Sequence, residues 1–143
     1  TVQKIGRYEE VNTNRFLQIF LMGASSEFIT LCRRIATRYY ANSNTKLINI
    51  STRKGEYADI LAHVRTPQWE DQVLFRFVRS QGAIGELLLR DLYVQAKDIR
   101  APRAVCVTSG AFTEQAQGFV SARMIDLVEK DDLFKLLKKL SER

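Results

Sequence analysis

Two stretches in the second half of the chain decide the fold, 82-GAIGELLLRDLY-93 and 107-VTSGAFTEQA-116. In the first, a glycine-containing turn precedes a run whose apolar residues recur at three- and four-residue steps, which is the period of a helix packed on one side. The second begins at the end of residues 104–108, an apolar run typical of a strand covered on both faces. Thr113 then occupies the position of a helix N-cap. The two stretches together predict a helix over about 85–98, a buried strand, and a helix from 113 to about 123.

Upstream of these stretches the pattern predicts one helix and three strands. Apolar residues recur at helical spacing up to Tyr39, and Ser25, or alternatively Ser26, is the expected N-cap of that helix. Three strand-like runs follow, at residues 46–51, 57–65 and 72–79. Their connections are short, and strands joined this tightly pair antiparallel.

Downstream, a short strand at 125–128 and an amphipathic helix at 131–140 complete the chain. Strands and helices alternate in this half, which predicts parallel pairing with right-handed crossovers. The expected fold is therefore α/β in the order αβββαβαβα, with a mixed central sheet of about five strands flanked by helices. Residues 1–13 show no clear period, and residues 14–22 fit a short helix or a strand equally well.

Composition fits one domain with an anionic partner. The 143 residues are 45% apolar, enough for a single core, and the net charge is +6 with a pI of about 9.5. A basic balance favours nucleic acid, phosphates or an acidic membrane surface. Because the 22 Lys and Arg are interspersed with 16 Asp and Glu, ordinary surface charge is an equally good interpretation.

Cysteine usage and hydropathy exclude several classes of protein. Cys32 and Cys106 fall on apolar faces, so we expect small buried side chains rather than a disulfide, in the cytoplasm or another reducing intracellular compartment. His63 is the only histidine, which argues against a zinc site. The most apolar run, residues 16–22, is far shorter than the roughly 18 residues of a membrane span.

The order of elements and their motifs resemble the Mrr-like restriction endonuclease family of the PD-(D/E)xK nuclease superfamily. The segments that carry the resemblance are 84-IGE-86, 89-LRDLY-93, 107-VTSGAFT-113 with Ala116, 125-IDLV-128, and the leucines at 133, 136 and 137. The resemblance covers residues 26–143 and implies a restriction-endonuclease-like domain there. Residues 1–25 have no counterpart and are interpreted as an N-terminal lead-in or assembly segment.

The resemblance also implies that the cutting chemistry has been lost. Asp59 falls where the family has its metal-binding Asp, Arg76 where it has Glu or Gln, and Val78 where it has Lys. A hard cation such as Mg²⁺ needs several oxygen ligands, and a valine cannot stabilise the charge that develops on a phosphoryl group. The expected site is therefore vestigial and needs no cofactor. We expect Asp59 and Arg76 to pair across adjacent strands in place of the metal.

The sequence is compatible with three functions. The first is a nucleic-acid-binding domain, for DNA in preference to RNA, with phosphate contacts from Arg76, Arg79, Ser109 and Thr113. The second is a protein-interaction module of a larger assembly or of a self-associating protein, with residues 1–25 as the interface. The third is an active Mg²⁺-dependent endonuclease in which migrated carboxylates from Glu27, Glu70 or Asp71 join Asp59.

Overall fold

The computed structural model describes residues 2–53 and 57–142. In these ranges the chain forms five helices, namely α1 (Val2–Met22), α2 (Ser25–Arg38), α3 (Glu86–Asp98), α4 (Glu114–Val120) and α5 (Lys130–Ser141). The strands in the same ranges are β1 (Asn44–Arg53), β2 (Tyr57–Arg65), β3 (Glu70–Val78), β4 (Ala83–Ile84), β5 (Arg103–Thr108), β6 (Ala111–Phe112) and β7 (Ile125–Val128).

The main sheet has five strands in the order β1-β2-β3-β5-β7. The first three strands pair antiparallel, because short turns join them, whereas β3–β5 and β5–β7 pair parallel. Helices α3 and α4 supply the crossovers that parallel pairing requires. The predicted mixed five-stranded sheet is confirmed.

Helices cover both faces of this sheet. Buried side chains of α1, α2 and α5 form one core with Phe75 and Phe77 of β3, and those of α3 and α4 form a second core with Leu74 and Val78. Successive residues of a strand point to opposite faces. Arg76 therefore points to the same face as Leu74 and Val78, toward α3. Cys32 and Cys106 are buried and unbonded, as expected.

The two stretches that decide the fold meet in space. β4 lies in the first and β6 in the second, and they pair parallel as a small two-stranded sheet. Next to this pair, a Cβ on Gly110 would lie 2.3 Å from the carbonyl oxygen of Gly82. Only glycine permits so close an approach of two backbone segments.

Residues 2–22 form one helix, α1, where the sequence pattern showed no clear period over 1–13 and left a helix or a strand open over 14–22. α1 packs along α5, and Phe20 is completely buried in the core. Thr13 and Ser141 share a buried hydrogen bond of 2.8 Å between their hydroxyl groups. Packing against α5 stabilises a helix whose own sequence period is weak. For this reason the local sequence pattern did not by itself predict one helix over residues 2–22.

Two expectations about helix ends differ from the structure. Ser25 and Ser26 both lie inside α2, and its N-cap is Ala24, which makes no side-chain capping bond. Only Gly23 and Ala24 separate α1 from α2, so the short connection fixes where the helix starts. α4 ends at Val120, short of the expected position 123. The predicted cap at Thr113 is confirmed, since its hydroxyl accepts a 3.1 Å bond from the backbone N–H of Ala116.

Candidate functional site

The register of strands β2 and β3 positions the candidate site. In this antiparallel pair, Asp59 and Arg76 lie directly opposite one another. Side chains directly opposite one another in such a pair lie on the same face of the sheet. That face is covered by α3, so both side chains extend between the sheet and the helix. The expected pairing of Asp59 with Arg76 is confirmed.

Four hydrogen bonds surround the guanidinium group of Arg76. Its Nε donates to Oδ1 of Asp59 and its Nη2 to Oδ2 of the same carboxylate, each at 2.9 Å. Its Nη1 donates to Oδ2 of Asp91 on α3 at 2.9 Å and to the carbonyl oxygen of Leu88 at 3.3 Å. Such bidentate, charge-assisted contacts are the strongest that an arginine makes. The guanidinium group therefore lies between two carboxylates.

This arginine is completely enclosed. Arg76 is 0% exposed and Asp59 6% exposed, and the ring of Tyr57 lies 4.0 Å from the guanidinium carbon. Burial opposes the charge on Arg76, but hydrogen bonding and charge from Asp59, with a further bond to Asp91, hold its pKa above the ordinary arginine value. Arg76 is therefore an internal counterion, and in this conformation it offers no surface to a phosphate group.

The residues present do not fit a magnesium ion. Both oxygens of Asp59 accept bonds from Arg76, and Oδ2 of Asp91 accepts from Arg76 and from the side-chain amide of Gln95. Among residues 11–53 and 57–142, whose side chains the structure describes, no group of three or more His, Cys, Asp or Glu could hold a metal. The guanidinium group takes the carboxylate contacts that a divalent cation would need. Val78, the residue expected from the resemblance at the position of the family's Lys, is buried and aliphatic.

None of the three expected helper carboxylates approaches Asp59. Glu70 pairs with Arg65 and His63 at the other end of the β2–β3 hairpin, six residues of strand and roughly 20 Å away. Asp71 is paired with Arg103. Glu27 lies in the first turn of α2, which packs on the opposite face of the sheet.

Arg79 caps the end of α1. Its Nε donates to the carbonyl oxygen of Phe20 at 2.8 Å, and its Nη2 donates to the carbonyl oxygens of Ile19 and Gly23 at 2.9 and 2.6 Å. Its guanidinium carbon also lies 4.3 Å from the ring centroid of Phe28. The last carbonyls of a helix have no partner within the helix, so a cation there satisfies them. Arg79 therefore joins the end of β3 to α1, on the sheet face opposite to Arg76.

The two hydroxyl residues expected to bind phosphate also have internal partners. Ser109 is buried and donates to the carbonyl oxygen of Ser80 at 2.8 Å. Thr113 caps α4. Phosphate contacts by Arg76, Arg79, Ser109 and Thr113 remain predictions, and in this structure each of these side chains bonds within the protein.

Sequence reasoning missed Asp91 and Tyr57, the further partners of Arg76. Asp91 lies within the quoted motif 89-LRDLY-93, one turn of helix after Leu88, so the motif contained the signal. What the motif did not show is that this side of α3 faces β3. Tyr57 gives no signal of its own, because its role depends on the ring packing over a guanidinium group from the next strand.

Known proteins resemble this chain as follows. A family model described as Mrr_cat, restriction endonuclease, matches residues 24–137. The DNA modification-dependent restriction endonuclease AspBHI superposes with a TM-score of 0.57 and 15% identity, covering 90% of this chain and 35% of its own. The MspJI restriction endonuclease in complex with a 27-mer oligonucleotide superposes with a TM-score of 0.60 and 16% identity, covering 96% of this chain and 32% of its own. The chain thus spans about a third of the length of both proteins. No curated protein matches the sequence.

Proposed function

Because this chain belongs to the Mrr-type restriction endonuclease family, we propose that it is a DNA-binding domain on a nuclease scaffold that no longer cuts. The observation that carries the loss of cutting is the bidentate contact of Arg76 with both oxygens of Asp59. The observation that favours DNA as the partner is the net charge of +6 on a scaffold whose neighbour MspJI holds an oligonucleotide.

An arginine between the carboxylates does not substitute for a metal in hydrolysis. A divalent cation coordinates a water molecule, lowers its pKa and so supplies a hydroxide at neutral pH. A guanidinium group has no vacant coordination position and holds its proton throughout the pH range of proteins. Val78 also lacks the positive charge that would stabilise the transition state, a loss worth on the order of 10²–10³ in rate for a single stabilising group.

The same ion pair is compatible with binding. A nuclease site without its metal leaves carboxylates that repel the phosphates of DNA. Here Arg76 neutralises part of that charge from within the protein, so the scaffold does not need Mg²⁺ in order to approach DNA. We therefore expect binding not to require Mg²⁺, which acts only as a competing counterion, and to be strongly sensitive to monovalent salt.

A salt-titrated binding assay tests this function. Duplex and single-stranded DNA are titrated with the protein, with and without Mg²⁺, and the DNA is then examined on a denaturing gel. The affinity is expected to fall linearly on logarithmic axes as salt rises and not to increase with Mg²⁺. The DNA is expected to stay intact. Mg²⁺-dependent nicking would contradict the loss of chemistry. No binding even at low salt would contradict the DNA-binding function and favour the protein-interaction module.

A further inference from the structure

A cluster of cations and aromatic rings lies where α3 and α4 pack together. The rings of Tyr93 and Phe119 meet edge to face, with centroids 6.0 Å apart and an interplanar angle of 86°. Nζ of Lys97 is 4.5 Å from the centroid of Tyr93, and the guanidinium carbon of Arg123 is 4.0 Å from that of Phe119 and 5.1 Å from that of Tyr93. We call Tyr93, Lys97, Phe119 and Arg123 the α3–α4 basic cluster.

The two cations of the cluster are held in place. A cation over an aromatic ring is attracted by the electrons of the ring face, and Lys97 follows Tyr93 by one helical turn. Arg123 also donates from Nη1 to the carbonyl oxygen of Phe119. Side chains already restricted in this way lose less conformational entropy when a ligand binds.

Two cations close to the cluster have acidic partners, whereas Lys97 and Arg123 have none among the described side chains. Arg90, which also lies over Phe119, is paired with Glu86, and Arg103 is paired with Asp71. Neither Lys97 nor Arg123 forms an ion pair with an acidic side chain of residues 11–53 or 57–142. Hydrogen bonding and charge from Lys97, together with Arg123, lower the pKa of Tyr93. The cluster therefore presents two exposed cations without an acidic ion-pair partner in the described part of the chain.

A surface cavity opens beside these groups. It has a volume of about 270 Å³, and Tyr93, Lys97 and Arg123 contribute to its wall together with Pro102 and Met124. Both cations are exposed to solvent there. Since cations already contact both rings, the rings are not free platforms for a nucleic-acid base. Of the groups that line the cavity, the cations Lys97 and Arg123 suit an anionic oxygen ligand.

We propose that the α3–α4 basic cluster binds phosphate groups of the DNA backbone, with Lys97 and Arg123 as the contacting residues. This inference rests on the proposed DNA-binding function and supplies contacts that the enclosed Arg76 does not. Contacts to phosphates fix the position of a protein on DNA and carry no sequence information. The cluster therefore contributes affinity and salt dependence and no preference among sequences.

Two double variants with the same net charge test this. Lys97→Gln with Arg123→Gln removes two positive charges from the cluster, and Lys135→Gln with Lys139→Gln removes two exposed ones from α5. For the cluster variant we expect duplex affinity near 0.1 M salt to fall about tenfold or more, and the salt slope to decrease by ~1.8, or ~0.9 for each lost phosphate contact. The α5 variant is expected to keep the wild-type slope.

Equal slopes for wild type and both variants would overturn this inference while leaving the DNA-binding function standing. No binding by any of the three proteins would overturn both. Thermal unfolding first establishes that the variants fold. Should the Arg123 change destabilise α4, the single Lys97→Gln variant takes its place, with an expected decrease in slope of ~0.9 and Lys139→Gln as its matched control.

Discussion

Arg76 carries a positive charge in a place without solvent, and two carboxylates of unequal burial compensate it. The side chain of Asp59 is 7% exposed and that of Asp91 47% exposed. Removing one partner of a buried ion pair leaves an uncompensated charge, whereas a partly exposed partner is replaced by water. The same guanidinium group thus allows a comparison of a buried carboxylate that accepts two of its hydrogen bonds with a half-exposed one that accepts a single bond from it.

The first prediction concerns this pair. Asp59→Asn is expected to lower the free energy of unfolding by about 3–5 kcal/mol, because the charge of Arg76 loses its buried counterion. The matched Asp91→Asn is expected to cost about 1 kcal/mol or less. Urea denaturation of both variants measures the difference. Similar small losses for the two would show that Arg76 does not depend on Asp59 for its burial.

The second prediction is that two substitutions restore the metal site that the family resemblance implies. Arg76→Glu together with Val78→Lys would bring three carboxylates together at positions 59, 76 and 91 and would restore the lysine that the family has at position 78. We expect this double variant to bind Mn²⁺ in calorimetry and to nick duplex DNA with Mg²⁺. Val78→Lys alone, which keeps the Arg76–Asp59 pair, is the control and should do neither. A folded double variant that binds no Mn²⁺ would show that these residues are not the remnant of a metal site.

At the scale of elements, short contacts between neighbours determine where helices begin and end. α1 ends at Met22, where Gly23 and Arg79 satisfy its last carbonyls, and α2 starts three residues later, at Ser25, without a side-chain cap. α4, by contrast, begins at a local signal, since Thr113 caps it from within its own sequence. A cap supplied by the adjacent residues is readable in the sequence, and a cap supplied by a distant strand is not.

The third prediction concerns Arg79. The Arg79→Gln variant should lose most of the hydrogen bonds to the end of α1, so hydrogen-exchange protection in the last turn of that helix should decrease. Its DNA affinity should fall no more than that of the α5 control Lys139→Gln. Exchange measured by mass spectrometry and a parallel binding titration provide the two readouts. Unchanged protection with a large loss of affinity would instead support the phosphate contact expected for this residue.

At the scale of the whole molecule, α1 belongs to the core. The last two turns of α1 include the fully buried Phe20, which contacts Phe28 of α2 edge to face at 5.2 Å. α1 also covers α5, so its apolar side chains have partners in two other helices. Across the described residues, no helix is both long enough and apolar enough to cross a bilayer. A role of residues 1–25 in assembly remains a prediction.

The fourth prediction tests the place of α1 in the domain. Phe20→Ala is expected to cost about 3–5 kcal/mol of unfolding free energy, as for a large buried aromatic side chain. Met22→Ala, on the same helix but 75% exposed, is expected to change it by no more than about 0.5 kcal/mol. Thermal and urea unfolding give both values. A negligible effect of Phe20→Ala would mean that α1 is a separable segment.

Strong local signals in the sequence are enough to predict most elements of the sheet and its helices. The apolar periods of α2, α3 and α5, the cap at Thr113 and the short β1–β2–β3 connections specify a mixed five-stranded sheet, because each depends on residues close together in the chain. Strand alternation together with the family motifs was also enough to place Asp59 opposite Arg76.

The surroundings of that pair, by contrast, depend on how the elements pack. The tertiary structure places Asp91 and Tyr57 in contact with Arg76, and it places Arg79 where it donates to carbonyls at the end of α1. It stabilises as a helix a segment whose sequence has no clear period. It also brought Tyr93 and Lys97 of α3 together with Phe119 and Arg123 of the α4 region. These features arise from packing between elements distant in sequence, and the contacts that satisfy a buried charge or a helix end are made only when those elements meet.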